Sequence, residues 1–136
     1  GVTTDVISRL DPNTPVRALG ERADVRDLMT AMDGVTLSSA YGEGCPNSVG
    51  EAMARGVPVI VTQAGGTAEL VGDAGTIVPP RDPARLAEAF LALAQLSPGE
   101  RAAWGEAGRA RVQARFSYET MLQRHAAAYE ALVSTS

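Results

Sequence analysis

Glu43-Gly44-Cys45-Pro46-Asn47-Ser48-Val49-Gly50-Glu51 runs straight into Ala52-Met53-Ala54-Arg55-Gly56 and then Val57-Pro58-Val59-Ile60-Val61-Thr62. Two carboxylates stand eight positions apart, with a Gly-containing turn and a helix start between them. A helix from about Ser48 to Arg55 stops at Gly56. The strand that follows, Val57 to Thr62, is β-branched and shows no polar alternation until Thr62, the pattern of a parallel strand buried on both faces. One carboxylate therefore falls on a loop and the other on a helix. The free N–H groups of the helix N-terminus lie between them. That arrangement suits a ligand with hydroxyls at both ends and a diphosphate in the middle.

Working outward from this stretch, Val16 to Leu19 reads as a short strand ending at Gly20. Asp24 is placed to cap a helix with apolar residues at Val25, Leu28, Met29 and Met32. Val35 to Leu37 is a second strand, followed by a loop from Ser38 to Cys45. After Thr62 come a Gly65-Gly66 loop, a helical turn at Thr67 to Val71 and a last strand at Thr76 to Val78. The C-terminal third is helical. Asp82 caps a helix with Pro83 at its first position and Leu86, Phe90 and Leu93 along one face. Ser97-Pro98-Gly99-Glu100 is a capping box for the next helix, to about Arg115. Ser117 opens a final helix with Met121, Leu122, His125, Tyr129 and Leu132 on one side. Strands alternating with helices over short connections predict an α/β fold with a parallel sheet.

Length and composition narrow the alternatives. A chain of 136 residues forms one domain at most. Aromatics make up only 4%, so the core is expected to consist of Ala, Val and Leu. A net charge of −4 argues against a nucleic-acid surface. Cys45 is the single cysteine, which excludes an internal disulfide, offers no metal-ligand spacing and makes a reducing compartment the default expectation. Gly65-Gly66 lies at the C-terminal end of a strand, where open α/β sheets bind ligands, but the chain has no G-x-G-x-x-G there. Arg101, Arg109, Arg111 and Arg115 read as a solvated basic face with at most a weak attraction to an acidic membrane surface.

The opening stretch resembles the glutamate-x7-glutamate signature of retaining, nucleotide-sugar-dependent glycosyltransferases of the group-one type, which have two Rossmann-like domains (the GT-B architecture). Gly20, Asp33-Gly34-Val35-Thr36-Leu37-Ser38-Ser39, Glu51-Ala52-Met53-Ala54, Gly65-Gly66-Thr67-Ala68-Glu69-Leu70-Val71 and Val78-Pro79-Pro80-Arg81-Asp82-Pro83 fall in the family's order. The resemblance runs from about Thr14 to the C-terminus. It implies that Glu43 is the catalytic carboxylate beside the transferred sugar and the positive charge that develops there. It implies that Glu51 accepts hydrogen bonds from the ribose hydroxyls of the donor nucleotide. Gly44, Cys45, Pro46, Asn47, Ser48 and Val49 would complete the donor-binding turn, with the N–H groups of Ser48 and Val49 at the phosphates. Glu21, Arg22 and Asp24 would meet the nucleobase. Each role has a plainer alternative. Ser48-x-x-Glu51 is itself a capping box, Glu43 is a loop acid, and Asp24 is a helix cap. Cys45 stands where many family members carry a large residue and reads as packing rather than as a nucleophile. Gly50 replaces the more usual Leu or Ile.

The resemblance also sets expectations for the whole protein. Residues 1–136 would be the later part of the C-terminal donor-binding domain, a Rossmann-like domain truncated at its N-terminus. Two further strands with their helices, the phosphate-binding cations and the N-terminal acceptor domain would lie upstream. Gly1-Val2-Thr3-Thr4-Asp5 resembles the residues after the second of those strands. The missing pair would sit between Val16–Leu19 and Val35–Leu37, so a homodimer or strand swap is expected. The expected partners are a nucleotide sugar and, through the other domain, an acceptor sugar or lipid-linked sugar. No cofactor or metal is expected. The setting would be cytoplasmic, peripheral at the inner membrane face, in polysaccharide assembly. The alternative is a non-catalytic nucleotide- or carbohydrate-binding module.

Overall fold

The computed structural model describes residues 13–134. The stretch Gly1-Val2-Thr3-Thr4-Asp5 lies outside them. The described elements are α1 (Val25–Thr30), β1 (Val35–Leu37), α2 (Asn47–Ala54), β2 (Val59–Thr62), α3 (Thr67–Val71), β3 (Thr76–Val78), α4 (Pro83–Gln95), α5 (Pro98–Phe116) and α6 (Tyr118–Ser134). The three strands form one parallel sheet in the order β1-β2-β3, with Val35 opposite Val59 and Ile60 opposite Thr76. This is a Rossmann-like α/β arrangement with a helical C-terminal third.

The central strand β2 is buried along its whole length, as its unbroken apolar run predicts. Its side chains alternate between two cores. Val59 and Val61 pack with Met29, Val49, Ala52, Met53, Leu70 and Val71 from α1, α2 and α3. Ile60 faces the other way, with Val78, Ala89 and Leu93. Helices therefore cover both faces of the sheet, and α5 lies outside α2. Gly105 allows that close approach. Gly105 and Gly108 are buried, and a Cβ on Gly105 would overlap the carbonyl oxygen of Gly56.

Several expectations shift. Val16 to Leu19 forms no strand. Val16 is 50% and Leu19 47% exposed, and among the described residues no edge pairs with them. A short segment such as Val16-Arg17-Ala18-Leu19 becomes a strand only when a partner supplies the ladder, and β1 is an edge of the described sheet. β2 starts at Val59 rather than Val57, because Pro58 has no N–H to donate, although its carbonyl accepts from Val35 N–H at 2.9 Å. On α4 the buried stripe is Ala89 and Leu93, whereas Phe90 is exposed. The capping box at Ser97 and Glu100 forms as read. On α6 no residue is buried, and His125 is solvated, with Nδ1–H donating to the Met121 carbonyl one turn back at 2.8 Å.

The basic face of α5 is the largest correction. Three of its four arginines turn inward to helix C-termini, where carbonyls lack partners. Arg109 Nη2 donates to Arg55 O, just past α2, at 3.0 Å. Arg111 donates to Leu70 O at 2.9 Å and Glu69 O at 2.7 Å at the end of α3. Arg101 donates to Leu96 O at 3.2 Å and pairs with Asp33. Arg115 alone of the four stays exposed. Arg101, Arg109 and Arg111 are structural ties rather than a solvated face.

Candidate functional site

The loop bearing Glu43 hangs on the C-terminal end of β2. Thr62 is buried, and its Oγ1 donates to the Ser39 carbonyl at 2.5 Å and to the Leu37 carbonyl at 3.3 Å. Ser39 Oγ in turn donates to Glu43 Oε1. The Glu43 carbonyl accepts from Gly66 N–H at 2.9 Å. Gly65 sits at φ 55°, and a Cβ there would overlap the Glu43 carbonyl; a Cβ on Gly66 would overlap that of Gly44. The Gly65-Gly66 pair is thus required by backbone-on-backbone contact with the Glu43 loop. Thr67, fully buried, closes the same turn by donating to Thr62 O at 2.7 Å.

Pro46 is the N-cap of α2, and its carbonyl accepts from Val49 and Gly50 N–H at 3.1 and 3.2 Å. Ser48 therefore lies inside the helix, and its capping box with Glu51 does not form. Freed from that role, Glu51 is partly exposed and meets Arg26 from α1, with Nη2 3.4 Å from Oε1. Arg55 braces both: its Nε donates to Arg26 O and its Nη1 to Glu51 O, each at 3.0 Å.

A cleft of about 280 Å³ lies on this side of α2, with Cys45, Pro46, Asn47, Gly50 and Glu51 on one wall and Leu70, Val112 and Phe116 on the other. A smaller cleft of about 110 Å³ adjoins it through Cys45, with Gly44 and Gly66 in its lining. Cys45 is an exposed free thiol. No heavy atom lies within 4 Å of where a Cβ on Gly50 would stand.

The structure thus gathers Gly44, Cys45, Pro46, Asn47 and Glu51. It does not gather the rest of the sequence-derived set. Val49 is fully buried in the core, and its N–H is already spent on Pro46. Asn47 and Ser48 keep backbone N–H groups without a carbonyl partner among the described residues. Glu43 lines neither cleft; its carboxylate turns to Ser39. Glu21, Arg22 and Asp24 are exposed. Asp24 is the N-cap of α1 by position, but its carboxylate takes two bonds from Arg22, at 2.7 and 2.6 Å, instead of capping. The Arg22 guanidinium holds the Asp24 carboxyl below the usual carboxylate range, and Asp24 raises Arg22. Ser39, Thr62, Arg26 and Arg55 escaped the sequence reading. Only Arg55 carried a signal, its i,i+4 spacing from Glu51. No group of three or more His, Cys, Asp or Glu able to hold a metal occurs among the described residues. No described helix is long and apolar enough to cross a membrane.

The model of the "Glycosyl transferases group 1" family matches residues 3–95, more than half of the chain. The chain belongs to the group 1 glycosyl transferases. It is 27% identical over 150 residues to an MMP alpha-(1->4)-mannosyltransferase of Mycolicibacterium hassiacum, an alignment covering 98% of this chain and 36% of that protein. It is 45% identical over 75 residues to a GDP-mannose-dependent monoacylated alpha-(1-6)-phosphatidylinositol monomannoside mannosyltransferase of Corynebacterium glutamicum, covering 54% of this chain and 19% of that one. Among solved structures, Anabaena Alr3699/HepE in complex with UDP-glucose superposes with a TM-score of 0.80 at 29% identity, over 96% of this chain and 36% of that one. This group 1 chain therefore spans about a third of the length of the relatives it matches most fully. It corresponds to part of the C-terminal Rossmann-like domain of the GT-B architecture.

Proposed function

We propose that the intact protein moves a sugar from a nucleotide diphosphate to an acceptor hydroxyl with retention of anomeric configuration, and that this chain supplies the donor-binding part. The anomeric C–O bond to the diphosphate breaks, the nucleotide diphosphate leaves, and the acceptor oxygen takes its place. In this reading Glu51 accepts the ribose hydroxyls and the first turn of α2 faces the diphosphate. Glu43 stands beside the transferred sugar, where a carboxylate stabilises the positive charge that develops on the ring. The observation that carries the reading is the shared cleft. Asn47, at the unsatisfied N-terminus of α2, and Glu51, one turn further on, line one cavity. An anion at the first and a diol at the second would satisfy both.

The donor chemistry of relatives supports the same reading, since HepE is seen with UDP-glucose and the Corynebacterium enzyme depends on GDP-mannose. Phosphate neutralisation by a helix N-terminus and side-chain cations makes a metal unnecessary. The acceptor, a sugar or lipid-linked sugar of polysaccharide assembly, is bound by the other domain at the cytoplasmic membrane face, so this chain alone is inactive. The edge of β1, unpaired among the described residues, supports pairing with a second copy or a swapped strand. A monomeric mass by light scattering would remove that last part.

The test is transfer from UDP-glucose and GDP-mannose by the full-length protein. Glu51→Ala should raise the donor KM, and Glu43→Gln should lower kcat. Wild-type rates in both variants would reduce the two glutamates to solvated helix and loop residues. Binding without any transfer would leave a carbohydrate- or nucleotide-binding module. Turnover by the isolated chain would overturn its assigned inactivity.

A further inference from the structure

We infer that Arg26 and Arg55 form a positioning clasp that aims the Glu51 carboxylate at the donor ribose and ties it to the segment entering α1. The inference rests on the reading of Glu51 as the ribose ligand. A glutamate on a helix surface ordinarily samples several rotamers, and each hydrogen bond it makes to a ligand must offset the cost of choosing one. Here a cation is placed to favour one of them. Arg26 Nη2 donates to Oε1 at 3.4 Å from a helix 25 residues away in sequence. Arg55 fixes the spacing of the two helices by donating to both Arg26 O and Glu51 O at 3.0 Å. Arg109 of α5 extends the chain of contacts to Arg55 O.

The charges argue for orientation rather than stability. The Arg26 side chain is 70% exposed, where an ion pair contributes little to folding. Arg26 engages only Oε1, so Oε2 and the remaining acceptor capacity of the carboxylate stay available to a vicinal diol. The clasp also has a second end. α1 begins directly after Glu21, Arg22 and Asp24, so holding Arg26 O fixes the distance from the ribose carboxylate to the segment proposed to meet the base. Arg26 and Arg55 are positioning residues; neither needs to touch the reacting atoms.

The experiment compares binding of UDP with 2′,3′-dideoxy-UDP, and GDP with its dideoxy counterpart, to the full-length protein by calorimetry. Hydrogen bonds to a charged carboxylate should make the wild type prefer the better-bound ribonucleotide by roughly 10- to 100-fold. Arg26→Gln and Arg55→Ala should each shrink that preference by about two- to fivefold, and Arg26→Lys should retain most of it. A purely structural role would weaken both nucleotides equally and leave the ratio unchanged, which would overturn the clasp. Should Arg55→Ala fail to fold, the exposed Arg26→Gln carries the test alone. Glu51→Ala separates the two levels. If it collapses the ratio while the arginine variants do not, only the clasp fails. If it leaves the ratio intact, or if the wild type binds neither UDP nor GDP, the ribose reading fails and the clasp with it.

Discussion

Replacing Gly50 by alanine should make the protein more stable and its donor site worse. Gly50 lies in the second turn of α2, has no positive φ, and has nothing within 4 Å of a built Cβ. Alanine therefore meets no neighbour and no backbone strain, and overpacking contributes nothing. What remains is helix propensity, which favours alanine over glycine by about 0.8–1 kcal/mol. For a chain of this size that corresponds to a rise in Tm of roughly 3–5 °C. The new methyl, however, projects into the cleft that holds Cys45, Asn47 and Glu51. Thermal melting by circular dichroism and calorimetric titration with UDP-glucose and GDP-mannose would be run on wild type, Gly50→Ala and Gly50→Leu. The expected result is a higher Tm for alanine and a lower donor affinity in both variants, a dependence on glycine particular to this chain because relatives more usually carry Leu or Ile there. A lower Tm for alanine would refute the open-space argument. Unchanged affinity in both variants would show that the donor does not use the space beside Gly50.

Three further outcomes follow from the same geometry. Gly65→Ala combines φ 55° with an overlap on the Glu43 carbonyl; it should cost about 2 kcal/mol or more in denaturant titrations, and a neutral result would show that the loop relaxes freely. Arg111→Lys should fall short by about 1–3 kcal/mol, because an ammonium cannot reproduce the fork that serves both Leu70 O and Glu69 O; full stability in the lysine variant would mean charge alone matters. The Ser97 hydroxyl, and then its backbone N–H, hold the Glu100 carboxyl below its ordinary range. Its folded-state pKa is depressed, so its contribution is present above the ordinary glutamate value of about 4.3 and is lost as pH falls through the depressed one. The Tm gap between wild type and Glu100→Ala should be constant near neutrality and close at acid pH; a gap independent of pH down to about 2 would contradict the box.

The fold was legible where one residue pattern admits one structure. The run Val59-Ile60-Val61 is β-branched with no polar alternation, the pattern of a buried parallel strand, and it is buried on both faces. Pro83 after Asp82 and Ser97-x-x-Glu100 set helix starts that the structure keeps. Legibility failed where the outcome depends on a distant partner. Val16 to Leu19 has strand chemistry but no ladder among the described residues. Ser48 and Glu51 have the spacing of a capping box, yet the carbonyl of Pro46 starts the helix two residues earlier than that box requires. The arginines of α5 look like a solvated face because sequence periodicity says nothing about which neighbour's carbonyls need donors. In the site, Cys45, Pro46, Asn47 and Glu51 on one wall of the cleft were read from the sequence, whereas Leu70, Val112 and Phe116 on the other were not; Thr62 and Arg26 act across contacts more than twenty residues apart in sequence and leave no local trace.

The two carboxylates are held by separate devices, and that separation has a measurable consequence. Glu43 depends on the end of β2: Thr62 holds the Ser39 carbonyl, and Ser39 holds the carboxylate. Glu51 depends on α1 and α2 through Arg26 and Arg55. Among the described residues no side-chain hydrogen bond or ion pair joins the two sets of supports. Thr62→Val keeps the shape of the side chain, removes its bonds to Ser39 O and Leu37 O, and leaves those carbonyls short of a donor, at a cost of about 1–3 kcal/mol. Because it loosens the loop proposed to stand beside the transferred sugar, its kinetic effect should fall on kcat, with donor affinity little changed. Arg26→Gln should do the reverse. If the devices are independent, the double variant should show the sum of the single effects to within about 0.5 kcal/mol in both stability and transfer. A coupling well beyond that would mean that β2 and α1 answer to each other through the core around Val61 and Met29, and that the donor site moves as one body.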